Sequence, residues 1–149
     1  MSMLTKLKYV GTQRADLLDV YSIFIRSLVE YCSVCWHSSL TVEQSACIER
    51  VKKISLRIIL GEDYINYEGA LLICNLDTLQ NRREKRCLNF ALKCLNHPKH
   101  KSLFPINNQN LHNMRKIEKY RVNFAHNGYY QKSAIPYCQK LLNTHFNTI

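Results

Sequence analysis

The sequence predicts an all-α fold of three long helices, one short helix and a less regular, basic C-terminal third. Three observations support this prediction. Apolar residues recur at the three- and four-residue spacing of a helix face, strict alternation is never sustained, and capping signals bound several periodic segments. The chain has 149 residues, 46% of them hydrophobic, which suffices for one domain with its own core. We therefore expect a single helical domain over residues 1–149.

The first long helix is predicted from Arg14 to about Cys35. Its apolar stripe consists of Leu17, Leu18, Tyr21, Ile25, Leu28 and Cys32. Asp16 and Asp19 lie in the first turns, where carboxylates meet the positive end of the helix dipole. Trp36 follows this helix and is expected in the core.

The second long helix has the clearest boundaries in the sequence. Thr41 with Gln44 three residues later forms a capping box at its start. Gly61 follows the last periodic residue and suits a left-handed C-cap. One face carries Cys47, Ile48, Val51, Ile54 and Ile58. A short helix is predicted next, at about Tyr67 to Cys74.

The third long helix is predicted from about Leu79 to Asn96, with Thr78 or Asp77 as its cap. The following His97-Pro98 ends it, because a residue before proline avoids the helical region. Its apolar stripe, which places Phe90 in the core, consists of Cys87, Phe90, Ala91 and Cys94.

The C-terminal third has a weaker pattern. Residues 99–131 show no sustained period, and Leu103-Phe104-Pro105 is expected to anchor a loop. Whether Arg115 to Ala125 is helical or extended stays open. Ser133 is expected to cap a last helix, with Pro136 tolerated in its first turn. Leu141 and Leu142 should pack that helix against the core.

The net charge of +10 is unevenly distributed. Residues 1–75 contain eight basic and eight acidic residues, whereas residues 76–149 contain thirteen basic and three acidic ones. Such asymmetry favours a polyanionic partner, most commonly nucleic acid. A solvated surface that keeps the protein soluble by repulsion is the competing explanation.

The candidate phosphate contacts fall in two basic segments. On the third long helix, Arg82, Arg86 and Lys93 share one polar stripe, which a solvated helix face would also explain. Arg83 lies nearer the apolar face and is expected to be structural, paired with an acidic residue of the first half. In the second segment the candidate phosphate contacts are Arg115, Lys119 and Arg121. Tyr120 lies among these cations, and its ring either stacks on bases or belongs to the core.

Seven cysteines occur without a recognisable secretory signal at the first residues. Cys32 and Cys35 form a lone CxxC, and Cys94, His97 and His100 offer another close spacing. A structural zinc site needs four convergent ligands, and no second pair follows at a standard spacing. We therefore expect no metal, reduced cysteines that act as small core residues, and an intracellular protein of the nucleus or cytoplasm.

No catalytic motif is recognisable. The chain has four Asp residues, none of them adjacent to another Asp, and it lacks a nucleophile elbow, a zinc-protease motif and a phosphate-binding glycine loop. A two-metal nuclease or polymerase site would need several convergent carboxylates. We therefore expect no enzymatic activity and no cofactor. We also expect no membrane span, since the apolar runs are far shorter than the roughly 18 residues that a span requires.

Several short strings follow one another in a specific order. They are Tyr21–Tyr31, Val34 with Trp36–Thr41, Ile48–Lys53, Leu56–Gly61, Tyr64–Leu71, Thr78–Leu79 with Arg82–Arg83, Phe90–Lys93, Leu103–Pro105, Ser133–Tyr137 and Leu141–Asn143. Their order and spacing resemble the C-terminal region of reverse transcriptases from non-LTR retrotransposons of the jockey-like kind. The resemblance covers nearly the whole chain, from about Leu7 to Asn143.

The resemblance implies a helical region that follows the palm and thumb of an RNA-directed DNA polymerase and contacts nucleic acid. The family's paired-aspartate motif and endonuclease domain have no counterpart here, so we expect a terminal fragment of a mobile-element reading frame. The expected function is non-catalytic, sequence-independent binding of RNA or DNA phosphates. The alternative is a helical module that docks on the rest of a reverse transcriptase.

Overall fold

The computed structural model describes residues 3–107, 118–122 and 127–147. These residues are predominantly helical, which confirms the predicted all-α class. Their one pairing of extended backbone is an isolated antiparallel bridge between Ile106 and Tyr120. No helix in this part of the chain is long and apolar enough to cross a membrane.

The chain divides into two compact units. Unit 1 comprises Met1–Tyr31 and Leu40–Arg82, and unit 2 comprises Cys32–Ser39 and Arg83–Ile149. The boundary between Arg82 and Arg83 falls inside one continuous helix. Adjacent residues of that helix therefore take part in different packing environments.

Unit 1 is built from short helices around one long helix. In chain order its elements are α1 (Met3–Tyr9), α2 (Arg14–Val20), a π-helical turn (Tyr21–Ile25), α3 (Arg26–Val29), α5 (Val42–Leu60), a 3-10 turn (Gly61–Asp63) and α6 (Tyr67–Ile73). The core of α1, α2 and α5 contains Leu4, Leu17, Tyr21 and Ile59. A second cluster joins α5 to α6 through Leu56, Leu60 and Ala70.

Both predicted boundaries of the long helix α5 are confirmed. The hydroxyl of Thr41 accepts from the Gln44 N–H at 3.2 Å, and the Gln44 side-chain oxygen accepts from the Thr41 N–H at 3.0 Å. At the other end, Gly61 ends the helix with a φ of 60°, but its ψ of −118° differs from the left-handed helical conformation predicted for it. The ammonium group of Lys8, in α1, donates to the Ile58 carbonyl at 2.6 Å and occupies the space that a Cβ at Gly61 would need. A cation thus caps the negative end of the α5 dipole.

The prediction of one unbroken helix from Arg14 to Cys35 is wrong. Helical backbone ends at Val29, and Cys32 has a φ of 48°, in the left-handed region. The predicted apolar stripe includes Leu28, but this side chain is 78% exposed and does not face a core. The chain leaves the helix beside Glu30, a buried carboxylate held by a side chain from far along the sequence. Helix α1 is also absent from the sequence prediction.

Unit 2 contains the rest of the helices. Its elements are α4 (Ser33–Trp36), a 3-10 turn (His37–Ser39), most of α7 (Leu79–Asn96), a 3-10 turn (Lys101–Leu103), α8 (Gly128–Gln131) and α9 (Ala134–Phe146). The bounds predicted for α7 are confirmed, and Thr78 caps it by accepting from the Asn81 N–H at 3.1 Å. The core cluster consists of Cys87, Ala91, Cys94, Phe104, Tyr120, Cys138 and Leu142.

Small side chains line the buried face of α7. Cys87 and Ala91 are fully buried, and the thiol of Cys138 in α9 donates to the Cys87 carbonyl at 3.7 Å. Phe90 lies beside this face and is 38% exposed, so its prediction as a core residue is wrong. Trp36 is half-buried. Close packing against a backbone carbonyl favours cysteine and alanine over the bulkier ring.

Candidate nucleic-acid interface

The two units divide the net charge as completely as the two halves of the sequence do. Unit 1 contains nine basic and nine acidic residues, whereas unit 2 contains twelve basic and only two acidic residues. The entire formal charge of +10 therefore belongs to unit 2.

Several cations of unit 1 have partners within the unit. Arg14 forms an ion pair with Asp63. The Lys53 ammonium lies 5.0 Å from the Tyr67 ring centre, and the Arg57 guanidinium lies 5.2 Å from that of Tyr64. These contacts give the cations local structural roles.

Arg82, a predicted phosphate contact, forms an ion pair inside unit 1. Its Nε and one terminal nitrogen donate to the two carboxylate oxygens of Glu30, at 2.7 and 3.3 Å. This hydrogen-bonded carboxylate raises the pKa of Arg82. Glu30 is 2% exposed, and a carboxylate so buried requires a charged partner. The structure therefore gives Arg82 a structural role.

Arg83 is fully buried in unit 2, which confirms its predicted structural role. Its Nε donates to Nδ1 of His37 at 3.3 Å, and its guanidinium lies 5.8 Å from the centre of the Trp36 ring. Nε2 of His37 lies 3.1 Å from the Tyr137 hydroxyl. A first-half carboxylate, Glu30, forms an ion pair with the neighbouring Arg82.

Arg86 and Lys93 are both exposed on α7, as the polar stripe predicts. They are seven residues apart, which places their Cα atoms about 10 Å apart along the helix axis. Two cations at this separation can contact phosphates of one strand without competing for the same group.

Lys119 and Arg121 lie on either side of the buried Tyr120 in extended backbone. Asn143 in α9 fixes this segment, because its side chain accepts from the Tyr120 N–H at 2.8 Å and donates to the Tyr120 carbonyl at 2.9 Å. Alternation in extended chain then directs the two cations away from the core and leaves both exposed. The competing prediction that Tyr120 belongs to the core is confirmed.

Lys119 lies over aromatic rings. Its ammonium is 4.3 Å from the centre of the Phe146 ring and 5.8 Å from that of Tyr120. Phe146 is in turn in contact with the rings of Tyr120 and His145, at centroid distances of 5.9 and 5.6 Å. Basic and aromatic groups therefore meet here as the sequence predicts. Phe146 could not be identified, since only the fold brings it near Lys119. Arg115, the remaining candidate, lies outside the described residues.

A buried polar cluster in unit 1 has no counterpart in the sequence predictions. The Glu49 carboxylate accepts from the Leu79 N–H at 3.0 Å and from the Tyr67 hydroxyl, and the Lys52 ammonium donates to the Asp77 carbonyl. Burial lowers the pKa of Lys52 to about 8, although Glu49 opposes this shift. The two side chains, one turn apart on α5, hold the start of α7. This is a structural role.

Unit 1 also contains an open cavity of about 550 Å³. Its lining is mixed in polarity and consists of Glu68, Leu71, Leu72, Asn75, Leu76, Asp77, Thr78, Asn81 and Arg82. Among the residues that the structure describes, no group of three or more His, Cys, Asp or Glu side chains is arranged to hold a metal ion.

Comparison with protein-family models, curated proteins and solved structures gives no significant match for the chain. The features of the chain that bear on its function are therefore its charge distribution, its exposed cations and its sequence resemblance.

Proposed function

We propose that the protein is a non-catalytic nucleic-acid-binding module related to the C-terminal region of a jockey-like reverse transcriptase. It binds RNA or DNA through phosphates, without reading sequence, and the binding surface belongs to unit 2. The observation that supports this proposal most directly is the concentration of the entire net charge of +10 in that unit. The contacts are Arg86, Lys93, Lys119 and Arg121, with Arg115 as a further candidate from the sequence.

The chemistry of this surface suits a polyanion. Lys and Arg release condensed counterions when they neutralise phosphates, so binding weakens as salt increases. Four such contacts predict that log Kd rises with log salt concentration with a slope of about 3 to 4. The half-buried Phe146 ring beside Lys119 is the aromatic group that could add stacking with an unpaired base.

The test is a salt titration with the full chain and fluorescently labelled nucleic acids of mixed sequence. Single-stranded RNA, single-stranded DNA and duplex DNA of equal length are titrated at several NaCl concentrations. We expect similar affinities for unrelated sequences and the steep salt dependence given above. Affinity that is weak and independent of salt would contradict the proposal.

Matched charge variants locate the surface. Lys119→Gln with Arg121→Gln removes two charges from unit 2, and Lys6→Gln with Arg50→Gln removes two exposed charges from unit 1. We expect the first variant to lower both the affinity and the salt slope, by about 2 in the slope, and the second to leave the slope nearly unchanged. Equal effects of both variants would place the interaction elsewhere.

Docking on a protein partner is the second candidate function, and a specific feature of unit 1 favours it. Ile23, Phe24 and Leu28 lie in consecutive helical turns, Tyr31 follows the end of α3, and all four side chains are 60% to 78% exposed. Exposed apolar side chains mark interaction sites where they form a patch of more than a few hundred Å². The partner suggested by the resemblance is a polymerase body, so the test is pull-down of a jockey-like polymerase domain. Phe24→Ser with Leu28→Ser should abolish capture, and unchanged capture would exclude this surface.

A further inference from the structure

Cys32 is the N-cap of the four-residue helix α4, Cys35 lies in that helix, and both are exposed. The Cys35 N–H donates to the Cys32 carbonyl at 2.9 Å, which closes a tight turn between them. Such a turn brings the Cα atoms of its first and last residues within about 7 Å of each other. A disulfide requires a Cα–Cα distance of about 4.4 to 6.8 Å, so this backbone geometry is compatible with one. The left-handed backbone of Cys32, with a φ of 48°, begins this turn three residues after the end of α3.

The other cysteines differ from this pair in accessibility or in spacing. Cys87, Cys94 and Cys138 are buried, and burial raises the pKa of Cys87 to about 11 and that of Cys138 to about 12. Burial also raises the pKa of the partly exposed Cys74. Cys47 is exposed but has no second cysteine within a turn of its helix. Among the described thiols, exposure and i,i+3 spacing therefore coincide at Cys32 and Cys35.

We propose that Cys32 and Cys35 form a reversible dithiol–disulfide site that exchanges with low-molecular-weight disulfides of the glutathione type. This site is independent of the proposed nucleic-acid binding. It lies in the segment Cys32–Ser39 of unit 2, immediately before Trp36, the single tryptophan of the chain.

The exchange proceeds in two balanced steps. The Cys32 thiol loses its proton to solvent, and the thiolate attacks one sulfur of the external disulfide, whose S–S bond breaks. One external thiolate leaves and takes up a proton, and Cys32 is then in a mixed disulfide. The deprotonated Cys35 attacks the Cys32 sulfur, and the second external thiolate leaves and is protonated. Two protein thiols are oxidised to one disulfide, and one external disulfide is reduced to two thiols.

The test uses the full chain in buffers with increasing ratios of oxidised to reduced glutathione. After an acid quench, free thiols are alkylated and the peptides are analysed by mass spectrometry, while Trp36 emission is recorded in parallel. We expect the peptide with Cys32 and Cys35 to lose two hydrogen atoms, with quenching of Trp36 that dithiothreitol reverses. Because ring closure is intramolecular, it should require at least about tenfold less oxidised glutathione than modification of Cys47.

Serine variants distinguish the pair from adventitious oxidation. Cys47→Ser should keep the wild-type midpoint, whereas Cys32→Ser and Cys35→Ser should give only a mixed disulfide at the remaining cysteine. Circular dichroism checks that each variant folds. If a variant does not fold, the wild-type chain still tests the proposal, because oxidation of its Cys32–Cys35 peptide is compared with modification of Cys47 in the same sample. The proposal is overturned if Cys32 and Cys35 each carry glutathione, if Cys35 links to Cys87, if Cys47 oxidises as readily, or if the reduced chain retains zinc after dialysis.

Discussion

The role of Arg82 is decided by one buried carboxylate. Glu30 is almost completely inaccessible, and Arg82 donates to both of its oxygens. The sequence places Arg82 on the same polar stripe as Arg86 and Lys93, and no local signal separates it from them. The distinction depends on an acidic partner 52 residues away, which only folding brings into contact.

Arg82→Ala should destabilise the protein by about 3 kcal/mol, because it leaves a buried charge without its partner. Denaturant unfolding measures this effect. The matched control is Lys93→Ala, an exposed change on the same helix that should alter stability by less than about 0.5 kcal/mol. Glu30→Leu combined with Arg82→Met should recover most of the loss, and a failure to recover any would contradict the ion-pair argument.

His37 gives unit 2 a defined dependence on pH. Burial, and then the positive charge of Arg83, lower the pKa of His37 below its ordinary value of 6.5. The folded state therefore binds the proton more weakly than the unfolded chain does. The resulting stabilisation is complete above pH 6.5 and is lost as the pH falls below that value.

His37→Gln should therefore reduce the loss of stability between about pH 7 and pH 5, since glutamine can accept from Arg83 and does not titrate. Urea unfolding at both pH values is the measurement. His100→Gln, at an exposed position, serves as the control and should keep the wild-type difference. An identical pH dependence in His37→Gln and wild type would contradict the assignment.

At the level of helices and loops, a single side chain of α9 holds the extended segment that carries Lys119 and Arg121. Asn143 is 6% exposed and satisfies both the N–H and the carbonyl of Tyr120, much as a neighbouring strand would. The position of the two cations thus depends on α9 and on the bridge to Ile106.

Asn143→Ala should cost about 2 to 3 kcal/mol, because it leaves two buried backbone groups without partners. It should also lower nucleic-acid affinity at low salt, since Lys119 and Arg121 lose their fixed placement. Thermal unfolding and the binding titration measure the two effects. Asn89→Ala, an exposed change on α7, should affect neither. Lost stability with unchanged affinity would remove these two cations from the interface.

Local signals predicted some elements accurately and others poorly. The capping box at Thr41, the cap at Thr78 and the proline after His97 act within a few residues, so the bounds of α5 and α7 follow from the sequence. The end of α3 does not follow from the sequence, because the chain leaves the helix at Glu30, whose carboxylate is held by the distant Arg82. For the same reason, the pairing of Phe146 with Lys119 has no signature in the sequence.

At the scale of the whole molecule, the two units differ in charge but are nearly equal in the number of residues they contain. Unit 1 is electrically balanced, and several of its cations contact acidic, aromatic or carbonyl groups of the same unit. Unit 2 holds two acidic residues against twelve basic ones, so its folded state bears a cost of self-repulsion. A bound polyanion relieves that repulsion in unit 2 alone.

A polyanion at low salt should therefore protect unit 2 selectively from amide hydrogen exchange. Mass spectrometry with and without mixed-sequence single-stranded DNA should show slower exchange in peptides of unit 2, around α7, Lys119 to Arg121 and α9, while α1, α2 and α5 keep their rates. The reason is linkage, since a ligand that binds only the folded form of a unit lowers the population of its open states. About 1 M NaCl should abolish the protection, because it screens these contacts. Protection confined to unit 1, or persisting in high salt, would contradict the assignment of binding to the charge of unit 2.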